Sequence, residues 1–295
     1  MIKCSVGIFV YNEEKNIGNL IDSLLGQKLS NADISEILVI ASGSSDKTVE
    51  IVKKYLKTVK KMKLIHQVKR EGKASAVNLF IASAKSEVLV LLGGDLILDK
   101  NTIERLVREF KNTDVGMAGS HPVPVNKDKE SLVGFSGNLL WELHHRLSLK
   151  KPKMGEVVAF RKIFRRIPIF SSVDEANIEP LIRGQGYIMK YVANAKVFNK
   201  TPTTVGDFIR QRRRIYNGHL TVKNEQSYEV STMNLGLILS VLLSLIKENF
   251  NLKFIIMSML TVFLEGYSRF LGWQDYRLGK RHTVWEVAKT TKELN

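Results

Sequence analysis

The stretch Ser86-Glu-Val-Leu-Val-Leu-Leu-Gly-Gly-Asp-Leu-Ile-Leu-Asp99 decides how this chain is read. An apolar run, Val88 to Leu92, stops at Gly93 and Gly94 and delivers a single acid, Asp95. A run that short, bounded by glycine, predicts a buried strand of a parallel sheet. Ligands bind at the carboxyl ends of such strands. An acid there, beside glycines that let a backbone come close, suits a divalent cation bridging phosphates. A turn acid after a core strand is the alternative, and the rest of the chain decides between the two.

Working outward, strand patterns alternate with helical ones. Ser5–Val10 reads as a strand, and Asn12–Leu25 as a helix with Ile17, Leu20, Ile21 and Leu24 at helical spacing. Asn12 stands where it caps that helix. Glu36–Ile40 is a second strand, Lys47–Lys63 a lysine-rich helix and Lys63–His66 a short third strand. Lys73–Ala84 and Thr102–Phe110 are helical, and Val115–Gly119 is another strand. This alternation predicts an α/β fold with a mostly parallel sheet flanked by helices. An amphipathic helix over Ser131–Leu147 follows, then strands at Val157–Phe160, Tyr187–Tyr191 and Lys196–Phe198, and a helix over Val205–Tyr216.

From Met233 the composition turns apolar. Met233–Ile246 gives 14 mostly apolar residues and Phe254–Leu264 gives 11. At the helical rise the first reaches only ~21 Å against a hydrocarbon core of ~30 Å. Extending the second to Trp273 takes in Glu265 and Arg269. These lengths predict a C-terminal apolar helical hairpin that lies on or dips into a bilayer, with packing on the domain or on a second copy as the alternative. Tyr267, Phe270, Trp273 and Tyr276, followed by Arg277, Lys280 and Arg281, suit a headgroup zone. Residues 1–225 are therefore expected to form one domain, and 226–295 a membrane-associated or dimerising region.

The net charge is +16 over 295 residues, with 44% hydrophobic content. Such a balance fits nucleotide phosphates or anionic lipid. Nucleic-acid binding would interleave aromatic residues with the basic ones. The lysine-rich helix offers aliphatics and Tyr55 alone, so that class is set aside. The single cysteine, Cys4, excludes an internal disulfide and fits a reducing compartment. Met1-Ile2-Lys3 runs straight into a strand pattern without a secretory signal layout.

Four clusters close successive strands or open the helices after them: Tyr11-Asn12-Glu13-Glu14, Ser42-Gly43-Ser44-Ser45-Asp46, Arg70-Glu71-Gly72-Lys73-Ala74 and Gly93-Gly94-Asp95. Each alone is an ordinary turn. Together, in this order, they resemble the donor half of glycosyltransferase family 2, whose members share the Rossmann-like GT-A fold. Later pieces agree with the resemblance. Gly155-Glu-Val-Val-Ala-Phe-Arg161 is similar to the strand before the family's acid pair. Asp174-Glu175, with Gly186 and Tyr191 after it, resembles the acid-pair segment. Gln211-Arg-Arg-Arg-Ile215 resembles the Gln-x-x-Arg-Trp signature.

The resemblance implies transfer of a sugar from a nucleoside diphosphate, with inversion. It implies donor binding by Phe9, Tyr11, Asn12, Glu13, Ser42, Lys73, Gly94 and Asp95, with Asp95 holding Mn2+ or Mg2+. Asp174 or Glu175 would be the catalytic base, and Gln211, Arg213 and Arg214 would meet the acceptor or the diphosphate. The chain departs from the family at four places. Ala41 and Ser42 replace a common acid, Gly93 replaces the first acid of Asp-x-Asp, the acid pair is reversed, and Ile215 replaces tryptophan. The apolar tail and basic flanks point to a lipid-linked or glycan acceptor at the cytoplasmic face of the membrane. Two rivals remain: an inert nucleotide-sugar-binding module, since two acids are missing, and a nucleotidyltransferase. His144-His145 are expected to pack or face solvent, because adjacent helical residues project differently.

Overall fold

The apolar run ending at Gly93 forms the centre of an eight-stranded sheet. The computed structural model describes residues 1–170, 172–284, 286 and 288–292. In chain order the elements are β1 (Ile2–Val10), α1 (Ile17–Leu25), β2 (Ala32–Ser42), α2 (Thr48–Leu56), β3 (Met62–Gln67), α3 (Lys73–Ser83), β4 (Val88–Gly93) and β5 (Ile97–Leu98). Next come α4 (Thr102–Val107), β6 (Val115–Pro124), α5 (Leu132–Lys150), β7 (Val158–Arg161), α6 (Asp174–Arg183) and β8 (Ile188–Asn199). Three helices finish the chain: α7 (Val205–Glu225), α8 (Leu235–Glu248) and α9 (Leu252–Arg277).

The strand order is β3-β2-β1-β4-β7-β6-β8-β5. β3, β2, β1 and β4 run parallel, as do β6 and β8. β7 lies antiparallel between β4 and β6, and β5 antiparallel beside β8. The expected mostly parallel sheet is present, with two reversed strands that apolar patterning did not disclose.

Period-two alternation divides the sheet's side chains between two cores. Cys4, Val6, Ile8 and Val10 of β1 pack with Ile17, Leu20, Ile21 and Leu24 of α1 and with Ile103, Leu106 and Val107 of α4. Phe9 faces the other way, onto Val77, Phe80 and Ile81 of α3, in a core that Ile178 and Ile182 of α6 complete. Helices therefore cover both faces, as a parallel sheet requires.

Four expectations need correction. α1 starts at Ile17, with Asn16 at its N-cap, so Asn12 does not cap it. Asn12 sits instead at φ +52, a left-handed turn that asparagine tolerates. The lysine-rich helix ends at Leu56, because Met62–Gln67 is drawn into the sheet as β3. Two expected strands, Tyr187–Tyr191 and Lys196–Phe198, are one strand with a register shift. Finally, α9 runs for 26 residues, through Glu265 and Arg269.

The C-terminal hairpin packs on the domain through α5 and α7. Leu139, Leu143 and Leu147 of α5 meet Val241, Leu242 and Leu245 of α8. Polar residues of α9 meet α7: Arg212 grips Glu265 with two hydrogen bonds of 2.8 Å each, and Arg213 donates to Asp275 from two nitrogens. α9 is long and apolar enough to cross a membrane by length and composition.

Candidate active site

One large cavity, about 1020 Å³, opens at the carboxyl ends of the parallel strands. Phe9, Tyr11 and Glu13 reach it from the end of β1, Ser42 from β2, Lys73 from the start of α3, and Gly94 and Asp95 from the end of β4. Asp174 and Glu175 enter from the first turn of α6, and Gln211 to Arg214 from α7. Of the residues expected at a site, Asn12 alone does not line the cavity. It braces the loop behind: its Oδ1 accepts from the Ser45 N–H at 2.9 Å, and its own N–H donates to Ser44 Oγ at 3.2 Å.

The end of the cavity beside β1 and β4 is held by local geometry. The Gly94 N–H donates to the Phe9 carbonyl at 3.0 Å, which ties the β4 loop to β1. The Arg70 guanidinium stacks 3.8 Å above the centre of the Tyr11 ring. Glu13 is buried, and its backbone N–H donates to Thr48 Oγ1 at 2.7 Å.

At the centre, acids and cations interleave. Lys73 Nζ lies 2.9 Å from Asp174 Oδ2 and 3.5 Å from Glu175 Oε1. Burial disfavours the Lys73 charge, but the two carboxylates outweigh it and hold the ammonium above its ordinary range. Asp174 is buried, and desolvation raises its carboxyl although Lys73 and Arg214 oppose the rise. Among the described residues, its Oδ1 has no hydrogen-bond partner. Arg214 Nη1 donates to the Ser172 carbonyl at 2.6 Å, which fixes the entry to α6. Burial pulls the Arg214 pKa down, while Asp174 and Glu175 oppose that pull. Both acids stand in the first turn of α6, where the helix dipole favours negative charge.

Asp95 is lifted above the usual carboxylate range, first by burial, with its own backbone N–H, Lys73 and Arg214 opposing. A desolvated carboxylate of this kind is costly unless a cation takes it. Its oxygens are the hard donors that Mg2+ and Mn2+ prefer, so the loop fits a divalent cation. Among the described residues, no group of three or more His, Cys, Asp or Glu is arranged to hold a metal. Oxygens from a bound ligand would have to complete the shell.

Sequence reasoning missed two parts of the site and gave a third a different partner. Glu156, just before β7, lines the cavity, and its carboxyl is pushed up to about 7, first by burial and then by Asp95 and Glu175. The Gly155–Arg161 segment was singled out only as a strand, and sheet topology is what brings β7 beside β4. Arg213, expected at the diphosphate, is committed to Asp275 of α9. Most distant in sequence is the tail, which returns across the mouth. Thr283 presses so close that a Cβ on Gly72 would stand 2.4 Å from its carbonyl oxygen. Thr290 Oγ1 donates to Asp207 at 2.8 Å, and Lys292 pairs with Glu13 and donates to the Tyr11 carbonyl at 3.1 Å. Burial pulls the Lys292 pKa down to about 8.

Three histidines, His121, His144 and His145, cluster around Tyr191, and His144 also lines the cavity. His121 and His145 stack with ring centres 4.0 Å apart, and His145 Nδ1 meets Tyr191 Oη at 2.8 Å. His144 is buried, and burial holds it neutral.

Residues 5–171 match the family model for glycosyl transferase family 2. Glycosyltransferase GlyG of Streptococcus pneumoniae is 29% identical over 110 residues, covering 37% of this chain and 36% of that protein. Poly-β-1,6-N-acetyl-D-glucosamine synthase of Staphylococcus aureus is 24% identical over 220 residues, covering 70% of this chain and 52% of that protein. The chain thus spans about a third to a half of the curated relatives it matches. Among solved structures, mannosyltransferase PcManGT from Pyrobaculum calidifontis, in complex with GDP-Man and Mn2+, superposes with a TM-score of 0.68 at 16% identity, over 94% of this chain and 88% of that one. TarS from S. aureus in complex with UDP-GlcNAc gives a TM-score of 0.51 at 15% identity, over 95% of this chain and 90% of that one. These likenesses establish the GT-A fold, and the match over more than half of its length makes this chain a member of glycosyl transferase family 2.

Proposed function

We propose that the chain is an inverting hexosyltransferase. It moves a sugar from a nucleoside diphosphate to a hydroxyl of a lipid-linked acceptor at the cytoplasmic face of the membrane. One observation carries the reading: the cavity joins the Lys73–Asp174–Glu175 cluster at one end to an apolar wall at the other. That wall is built from Leu139, Leu143 and Leu147 of α5 and Leu235, Leu239 and Leu242 of α8. Charged chemistry and an apolar acceptor thus share one enclosure.

The acceptor oxygen attacks the anomeric carbon from the face opposite the diphosphate. The bond from that carbon to the diphosphate oxygen breaks, and its electron pair leaves with the nucleoside diphosphate. The acceptor proton passes to a carboxylate, which contributes roughly 10²–10⁴-fold. Glu175 is the better placed of the two acids, since its side chain is 21% exposed, whereas Asp174 is 2% exposed and holds Lys73. Arg214 adds fixed positive charge near the reacting groups. A divalent cation bound at Asp95 would offset charge on the departing diphosphate. An ionised polyprenyl phosphate would need no base, so the acid pair favours a hydroxyl acceptor.

Membrane association rests on the outer face of the hairpin. Leu243, Met259, Phe263 and Phe270 are exposed there, with Phe263 76% accessible. Interfacial docking fits better than a span, because Glu265 and Asp275 are engaged by Arg212 and Arg213 on α7. Residues 226–295 act in this reading as the membrane-associated region. The buried free Cys4 agrees with a reducing compartment.

A panel of UDP- and GDP-sugars, with and without a lipid-linked glycan acceptor and Mn2+, tests the proposal through nucleoside diphosphate release. Acceptor-stimulated release supports it. Tight nucleotide binding without any turnover would instead favour the inert module, a reading that Ala41 and Gly93 keep alive.

A further inference from the structure

The loop after β4 carries one acid where the family commonly has two, and the structure places another beside the gap. β4 and β7 pair antiparallel with Leu91 opposite Val158. Glu156 lies in the bend that leads into β7, two residues before Val158. The pairing brings that bend towards the end of β4, and Glu156 lines the same cavity as Gly93 and Asp95. A Cβ at Gly93 would lie 2.9 Å from Asp95 Oδ1, so a side chain there would have to share the space with the Asp95 carboxylate.

Asn199 approaches from the other flank. β5 and β8 pair with Ile97 opposite Phe198, so the next step sets Asn199 opposite Leu96, adjacent to Asp95. Asn199 is 5% exposed and lines the cavity. Its Nδ2 donates to Glu156 Oε1 at 3.2 Å, while its Oδ1 is buried and has no hydrogen-bond partner among the described residues. A buried, unsatisfied amide oxygen is uncommon and calls for an explanation such as an ion.

We infer that Glu156 and Asn199 Oδ1 join Asp95 as ligands of the divalent cation, with Glu156 taking the place of the acid that Gly93 lacks. The donor set is oxygen only, as Mg2+ and Mn2+ require, and the remaining positions are left for diphosphate oxygens and water. Burial and the like charges of Asp95 and Glu175 raise the Glu156 carboxyl, and a cation bound there would relieve that repulsion. The inference rests on the metal-dependent reading of the site.

The test is direct Mn2+ binding to the full chain, read from the loss of the free-ion EPR signal, alone and with UDP or GDP. Thermal melts confirm that each variant is folded. Glu156→Gln and Asn199→Ala are each expected to weaken Mn2+ binding by about 10-fold or more, and Asp95→Asn to abolish it. If Asp95→Asn abolishes binding while Glu156→Gln and Asn199→Ala bind as tightly as the unaltered chain, this assignment is overturned and the metal reading stands. If the unaltered chain takes up no Mn2+ under either condition, both fall together.

Discussion

Lys73 Nζ sits 2.9 Å from Asp174 Oδ2 and joins the first turn of α3 to the first turn of α6. Two segments a hundred residues apart thereby share one buried charge pair. Replacing Lys73 by Met strands Asp174, which is 2% exposed, without its cation. The loss of one partner of a buried pair costs on the order of 3–5 kcal/mol. Urea denaturation of Lys73→Met is expected to show that loss together with abolished transfer. A variant as stable as the parent would contradict the pairing.

The acid pair separates by role. Glu175→Gln is expected to lower kcat by roughly 10²–10⁴-fold with little change in donor KM. Asp174→Asn is expected to lower stability as well, because it disturbs Lys73. Steady-state kinetics set beside thermal melts distinguish the two, and the reverse pattern would hand the base to Asp174.

Acid sensitivity of the fold should trace to Glu104. Its carboxylate accepts from the backbone N–H groups of Ser30 and Ala32 at 2.9 and 3.0 Å and from Asn31 Nδ2 at 2.8 Å. Burial alone would raise its pKa, but these hydrogen bonds overcome that and bring it to about 2. A depressed folded pKa gives stability that is full above the unfolded value near 4.5 and is lost as pH falls towards 2. Glu104→Gln should therefore cost roughly 3 kcal/mol at pH 7 and flatten the decline in stability between pH 5 and 2. Denaturation across that pH range reads the difference.

The hairpin's outer face offers a clean test of membrane docking. Leu243 is 56% exposed and Phe263 is 76% exposed, so Asp at both positions should leave folding almost intact. Sedimentation with anionic liposomes should fall by about 10-fold or more if each lost apolar anchor is worth on the order of 1–2 kcal/mol. Unchanged sedimentation would remove that face from the membrane.

Much of the fold was legible because its signals are local. β4 announced itself through five apolar residues and a glycine stop, and α1 through Ile17, Leu20, Ile21 and Leu24. Reversed strands were not legible, since β7 is as apolar as a parallel neighbour and its direction depends on chain routing. α7 outran its expected end at Tyr216 because Asn217, Gly218 and His219 look like a break, yet all three are buried against neighbouring elements. Glu265 and Asp275 look like interruptions of an apolar run until α7 supplies their arginines. In the site, residues on loops after strands were visible as motifs. Asn199 and Lys292 were not, and Glu156 was visible only as part of a strand motif, because each meets its site partners far away in sequence.

The register of β4 on β7 bears on how such chains are sorted. A filter that counts acids within the loop after the fourth strand finds Asp95 alone and overlooks Glu156, which lines the same cavity. Such a count samples three consecutive residues, whereas a cation samples a volume. In that volume, a carboxylate borrowed from the neighbouring strand is indistinguishable from one supplied by the loop itself. Surveys of divergent transferases gain by searching across hydrogen-bonded neighbours before declaring a motif broken.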